Sequence, residues 1–193
     1  MLPDGFRAFD ADNHYYEAVD AFTRHLEPAY RKRCMQWAEV DGKTRLLVGG
    51  KVNRFIPDPT FSRLARPGVL EKWFRGTAEG TLVEQFGELE PTRPAYRDRD
   101  ARLEAMDELG LDGALFFPTL GVGMEQALIH DIPALLAAFR AFNRWLHEDW
   151  GFAYQERIFA APYLTLADPE NHGVDITTWW GRGAIRLEEA RDA

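Results

Sequence analysis

One cysteine, Cys34, is all the thiol chemistry this sequence offers. A single thiol excludes an internal disulfide framework and suits a reducing compartment. Its expected role is that of a small, partly buried apolar side chain. Long apolar runs are lacking too, so no segment is expected to span a bilayer. The N-terminus, Met1-Leu2-Pro3-Asp4, has neither the basic nor the apolar region of a signal peptide. Positive charge is in the minority: 23 Lys and Arg against 31 Asp and Glu leave a formal net charge of −8. That balance argues against a general nucleic-acid binder, which needs a basic face. Short-period repeats and low-complexity tracts are also missing. The expectation is a cytoplasmic globular protein with no nucleic-acid or membrane partner.

What is present is apolar content. Hydrophobic residues make up 46% of the 193 positions and aromatics 13%, enough to build a core for one domain rather than a disordered chain. Glu17 to Arg33 reads as a helix, with Val19, Phe22, Leu26 and Tyr30 at helical spacing and Pro28 as a break or kink. Met35 to Phe55 reads as a β-hairpin turning at Asp41-Gly42. Residues 56–97 carry five prolines and read as irregular chain with a short helix near Leu70 to Phe74. Residues 34–97 are thus expected as an insertion, a long excursion of the kind that is often functional or a docking surface. Its aromatics, Trp37, Phe55, Trp73, Phe74, Phe86 and Tyr96, are expected as local core, with a lid or a subunit contact as the other use for some.

The pattern then becomes regular. Asp98 to Leu109 predicts a helix with Leu103, Met106 and Leu109 on its inner face, closed by Gly110. Gly113 to Pro118 is a nearly all-apolar strand, as buried parallel strands tend to be. Asp131 to Trp150 predicts a long helix, and Arg157 to Leu164 a further strand. Together with a first strand near residues 5–9, the order is βαβαβ, which calls for a parallel sheet. Asp168-Pro169 looks like a helix start, but residues 171–193 sustain no amphipathic pattern. That atypical tail raises the expectation of a truncated or frame-shifted reading, or of a fragment completed by another chain. Its pair Trp179-Trp180 would be an association site or an aggregation liability.

The chemistry-bearing stretch is Asp10-Ala-Asp-Asn-His-Tyr-Tyr-Glu17, directly after an apolar lead-in. In an extended strand Asp10, Asp12 and His14 would share a face. A carboxylate and an imidazole two residues apart make half of a divalent-metal site, although the same pattern also fits a solvated turn. His25, His130 and His147 have no ligand spacing and read as surface or capping residues. Gly121-Val122-Gly123 is too short to argue for a phosphate cradle, and Ser62 lacks a nucleophile-elbow context.

Four segments together resemble the amidohydrolase-related family of metal-dependent hydrolases and decarboxylases, the group of aminocarboxymuconate-semialdehyde decarboxylase. They are Asp10 to Glu17, Arg102 to Pro118, Ala138 to Leu146 and Ile158 to Pro169. The resemblance covers roughly residues 5–170 and implies the N-terminal part, about three strands with their helices, of a (β/α)₈ barrel with its site at the strand C-termini. Family members usually have a His-x-His pair at the first strand end, some with an acidic residue first. The matching positions here are Asp12 and His14, which implies zinc or manganese held by those two residues. Glu17 falls beside them, as a substrate contact or a residue orienting His14, or else as the first acidic residue of the following helix. The family draws further ligands, a histidine and an aspartate, from later strands that have no counterpart here, so metal affinity is expected to be weak. His172, Asp175 and Glu188 match no family position. Two functions follow: a metal-dependent hydrolase or non-oxidative decarboxylase acting on a small molecule, or a catalytically inactive fragment or interaction protein, self-associating through an open barrel edge.

Overall fold

The computed structural model describes residues 6–168, apart from 57, 86 and 88. The chain starts with β1 (Phe9–Tyr15) and then leaves the sheet. It forms β2 (Met35–Val40), β3 (Lys43–Val48), β4 (Lys51–Val52) and β5 (Arg63–Leu64). Two short helices, α1 (Glu71–Phe74) and α2 (Leu82–Gln85), precede β6 (Glu90–Pro91). It returns through α3 (Arg99–Leu109), β7 (Gly113–Pro118), α4 (Met124–Leu128), α5 (Ile132–Asp149) and β8 (Ile158–Ala160). β1, β7 and β8 form a parallel sheet with β7 in the middle. β2, β3 and β4 form a separate antiparallel sheet, and β5 pairs with β6. The expected strand–helix alternation is therefore present, with the hairpin and the excursion between β1 and α3. None of the described helices is long and apolar enough to cross a membrane.

Local signals explain most of these elements. Asp98 caps α3 by accepting from the Ala101 amide at 2.8 Å, and Gly110 ends it at φ 69°. Asp131 caps α5 in the same way, with Pro133 in its first turn. The β2–β3 turn places Asp41 and Gly42 both at positive φ, as a two-residue hairpin with right-handed strand twist requires.

The sheet has two unlike faces. Residues opposite one another in a parallel ladder share a face, so Tyr15, Ala114, Phe116, Pro118, Ile158 and Ala160 lie together. This face is fully covered: Trp150, at the end of α5, stacks on Tyr15 at 5.3 Å and on Phe116 at 5.6 Å, and Trp145 meets the Tyr15 ring edge-on. Phe142, whose ring also meets Trp145 at 5.3 Å, stacks on Phe22. The opposite face carries Phe9, Leu115, Phe117 and Phe159, all partly or largely exposed, with Phe9 56% accessible.

Four sequence expectations are corrected. The helix over 17–33 is absent: the segment runs as turns with one 3-10 turn at Pro28–Tyr30. Phe22 and Leu26 still reach the core, but Pro28 interrupts any amide ladder. On α3, Leu109 is 69% exposed and Arg102 takes the inward position beside Leu103 and Met106. β8 is only three residues long, because Pro162 ends its pairing with β7. Among the excursion's aromatics, Phe55, Trp73 and Phe74 are exposed rather than core, while Trp37 donates its indole N–H to the Val19 carbonyl and Tyr96 packs on Tyr16. Phe86, the helix start at Pro169 and the tail with Trp179-Trp180 lie outside the described residues.

Candidate functional site

Asp12 and His14 emerge at the C-terminal end of β1, the end at which parallel α/β sheets place their ligands. Asp10 lines a cleft beside them but does not share their strand face. The β1–β7 register shifts between Asp10 and Asn13, a bulge that puts Asp10 in phase with Ala114 and Asn13 with Phe116, on the covered face. His14 pairs with Phe117, on the open face. The expected three-residue alignment is thus broken by one extra residue. Asp10 serves instead as a local brace, accepting from the Asp12 amide at 3.1 Å and from Asn13 Nδ2 at 2.8 Å.

The His14 ring is fixed by the end of β7. Its Nδ1 lies 3.0 Å from the Pro118 carbonyl oxygen. A carbonyl can only accept, so Nδ1 meets it through a hydrogen, and Nε2 is the ring nitrogen turned away from β7. Nε2 faces Asp12, whose Oδ1 is 3.6 Å away. Two donors sharing one tetrahedral zinc at ~2.0–2.2 Å lie about 3.4 Å apart, so the pair needs little movement to hold one ion. A histidine whose far nitrogen is tied to a backbone carbonyl is the usual arrangement for a metal ligand. The donor set fits a divalent cation as half of a coordination shell. Among the described residues, no group of three or more His, Cys, Asp or Glu is placed to complete one.

A second support lies behind β1. Arg102 is 7% exposed and reaches from α3 to the bulge. Its guanidinium donates to Asn13 Oδ1 and to the His14 carbonyl, both at 3.1 Å, and to the Ala95 carbonyl. Asn13 Oδ1 also accepts the His14 amide at 2.8 Å. The backbone at His14 is therefore held by a buried cation and an amide side chain. The sequence carried one signal for this, an arginine one turn before Met106 on the apolar side of a helix; nothing marked Pro118.

Two clefts meet at the Asp12–His14 pair. One, of about 370 Å³, runs between Tyr16, Tyr96, Leu64 and Arg102. The other, of about 620 Å³, is lined by Phe117, Pro118, Val122, Ala161, Pro162, Tyr163 and Leu164 and is largely apolar. Asn143, on the buried face of α5, shapes its wall by bonding both the amide and the carbonyl of Tyr163 at 2.8 Å.

Glu17 lies elsewhere. It is 2% exposed and points at the turn after β7, where it accepts the amides of Thr119 at 3.1 Å, Leu120 at 2.8 Å and Gly121 at 2.8 Å. Burial pushes its carboxyl up to about 7 against the pull of those amides. The glycine turn at 121–123 thus presents its first amide to an internal carboxylate. Gly121 is needed there, since a Cβ would lie 2.7 Å from the Tyr163 ring. Cys34 is buried, its thiol pushed up to about 11 by burial. His25 pairs with Glu148 at 2.8 Å, away from the strand ends.

Comparison with solved structures finds a likeness to the crystal structure of an amidohydrolase from Mycobacterium avium subsp. paratuberculosis K-10, with a TM-score of 0.81 and 44% sequence identity. The match takes in 86% of this chain and 44% of that one, so the chain spans less than half the length of the protein it resembles. No protein-family model and no curated protein matches the sequence.

Proposed function

We propose that this chain carries the first part of an amidohydrolase-related metal site, with Asp12 and His14 as two ligands of one divalent cation, zinc or manganese. The observation that carries the reading is the His14 ring, tied through Nδ1 to Pro118 and turning Nε2 toward Asp12. The likeness to a named amidohydrolase at 44% identity supports it. On this reading the parallel β1, β7 and β8 are the first three strands of a (β/α)₈ barrel. A cation bound there would act as a Lewis acid toward water and toward a carbonyl or carboxylate oxygen. The protein's own part is to hold the imidazole in the tautomer that leaves Nε2 open, and to seat a small apolar substrate between Phe117 and Tyr163. The reaction is hydrolysis of a C–N or C–O bond, or non-oxidative decarboxylation of an unsaturated acid. Further ligands and a proton-transfer group come from outside residues 6–168.

The test is a zinc titration of the 193-residue protein, followed through the His14 imidazole signals by NMR, alongside Asp12→Ala. Saturable shifts at His14 that weaken tenfold or more without Asp12 are expected. A His14 ring unmoved at millimolar zinc, or equally responsive without Asp12, overturns the assignment.

Association is the second reading, favoured by the half-exposed apolar face of the parallel sheet and by the edges of β1 and β8. It predicts a concentration-dependent dimer by light scattering. A monomer across micromolar to millimolar concentrations removes it.

A further inference from the structure

We infer that Glu17 is a positioning residue for His14. By gripping the three amides that follow Pro118, it sets where the Pro118 carbonyl lies and so which imidazole nitrogen carries the proton.

The β1–β7 ladder ends with Tyr15 opposite Pro118. Proline has no amide hydrogen, so the strand pairing stops there. Beyond it, side chains continue the connection. Thr119 Oγ1 donates to the Tyr15 carbonyl at 2.7 Å. Glu17 Oε1 takes the amides of Thr119 and Gly121, and Oε2 takes that of Leu120. Pro118 is therefore pinned between strand pairing on one side and the Glu17 grip on the other. Its carbonyl oxygen is then the fixed point against which His14 Nδ1 places its hydrogen.

The three amides favour the ionised carboxylate, against the burial that raises its proton affinity. Three backbone donors converge on two carboxylate oxygens, and hydrogen bonds to an ionised acceptor are roughly twice as strong as neutral ones. A glutamine there would point an NH₂ at an amide N–H, two donors face to face, and the turn would have to shift. Glu17 is walled off from solvent, so water does not repair the mismatch. The carboxylate reaches His14 only through Pro118, which is why the spacing of Glu17 after His14 alone does not reveal the link.

This inference rests on the Asp12–His14 reading for its importance, but its test contains no metal, so the two fail separately. The protein is labelled with ¹⁵N-histidine, and two-bond ¹H–¹⁵N correlations at pH 8 report which nitrogen of His14 is protonated. The wild type is expected to be almost wholly the Nδ1–H form. In Glu17→Gln the ratio of the two tautomers should move about fivefold to tenfold toward Nε2–H, the size of losing one net hydrogen bond. Glu17→Asp keeps the charge but is one methylene short, and should shift the ratio in the same direction by less. It also serves if the glutamine variant does not fold. Thr119→Val removes only the tie to Tyr15 and should leave His14 unchanged. An unaltered tautomer ratio in either folded Glu17 variant, whatever its loss of stability, would make Glu17 a purely structural residue and overturn the inference. So would a Thr119→Val shift as large as that of Glu17→Gln.

Discussion

The two faces of the β1-β7-β8 sheet are built from the same three strands and are treated in opposite ways. On the covered face, Tyr15, Phe116 and Ile158 have no accessible surface, and Tyr15 and Phe116 pack against Trp145 and Trp150. On the open face, Phe9 is 56% exposed, and the side chains of Asp12 and His14 are 87% and 45% exposed. The covered face holds the fold, and the open face presents the Asp12–His14 pair. The bulge between Asp10 and Asn13 links them, because it sends Asn13 inward to Arg102 while leaving Asp12 and His14 outward.

The sharpest way to test that division is to remove its heaviest covered group. Trp150→Ala should cost about 3–5 kcal/mol, read by urea unfolding; a loss under about 1 kcal/mol would mean the face is not the core. Next comes the pH dependence set by Glu17, at the border between the faces. Its folded value of about 7 lies above the ordinary 4.5, so the folded state holds the extra proton. That contribution is fully present below about 4.5, declines through the interval and is gone above about 7, a span of roughly 3 kcal/mol. The difference in unfolding free energy between wild type and Glu17→Gln should therefore change between pH 5 and pH 8, with the wild type losing relative ground as pH rises. A flat difference would place Glu17 in water. Phe9→Ser, on the open face, should cost no more than about 1 kcal/mol. A loss comparable to that of Trp150→Ala would show the open face to be covered in solution. Smallest of all, Asp12→Ala should leave the unfolding midpoint nearly unchanged, within about 0.5 kcal/mol, while weakening the His14 response to zinc tenfold or more. Destabilisation with intact zinc binding would reverse the roles of the two faces.

The same division explains what was legible in the sequence. β7, α3 and α5 announce themselves because their signals are local: an apolar run, Asp98 and Asp131 as caps, Gly110 at positive φ. Asp12 and His14 were legible as neighbours, and although Asp12 sits inside the bulge its carboxylate still comes within 3.6 Å of the imidazole. Asp10 was misplaced because a single extra residue inverts the alternation, and nothing in Asp-Ala-Asp announces a bulge. The segment after Glu17 has helical spacing at Phe22 and Leu26, yet tertiary contacts win: Glu17 is drawn into the turn at 119–121, and Pro28 breaks the ladder. The Pro118 carbonyl was beyond reach, since a backbone oxygen leaves no mark in composition or spacing. Asn143 gave a usable hint, a polar side chain among Phe139, Phe142 and Leu146. Such a residue needs an internal partner, and here it takes the backbone of Tyr163.

The missing hydrogen on Pro118 has a consequence for solvent exchange. The residue that aims His14 has no amide proton and is silent in any deuterium-exchange experiment. The next three amides, Thr119, Leu120 and Gly121, belong to no strand and would exchange quickly in an ordinary turn, but here their acceptor is a buried carboxylate. Their protection is therefore tied to the grip of one side chain rather than to the unfolding of the sheet. A slow-exchanging triplet next to a silent proline is the isotopic signature of Glu17 in place.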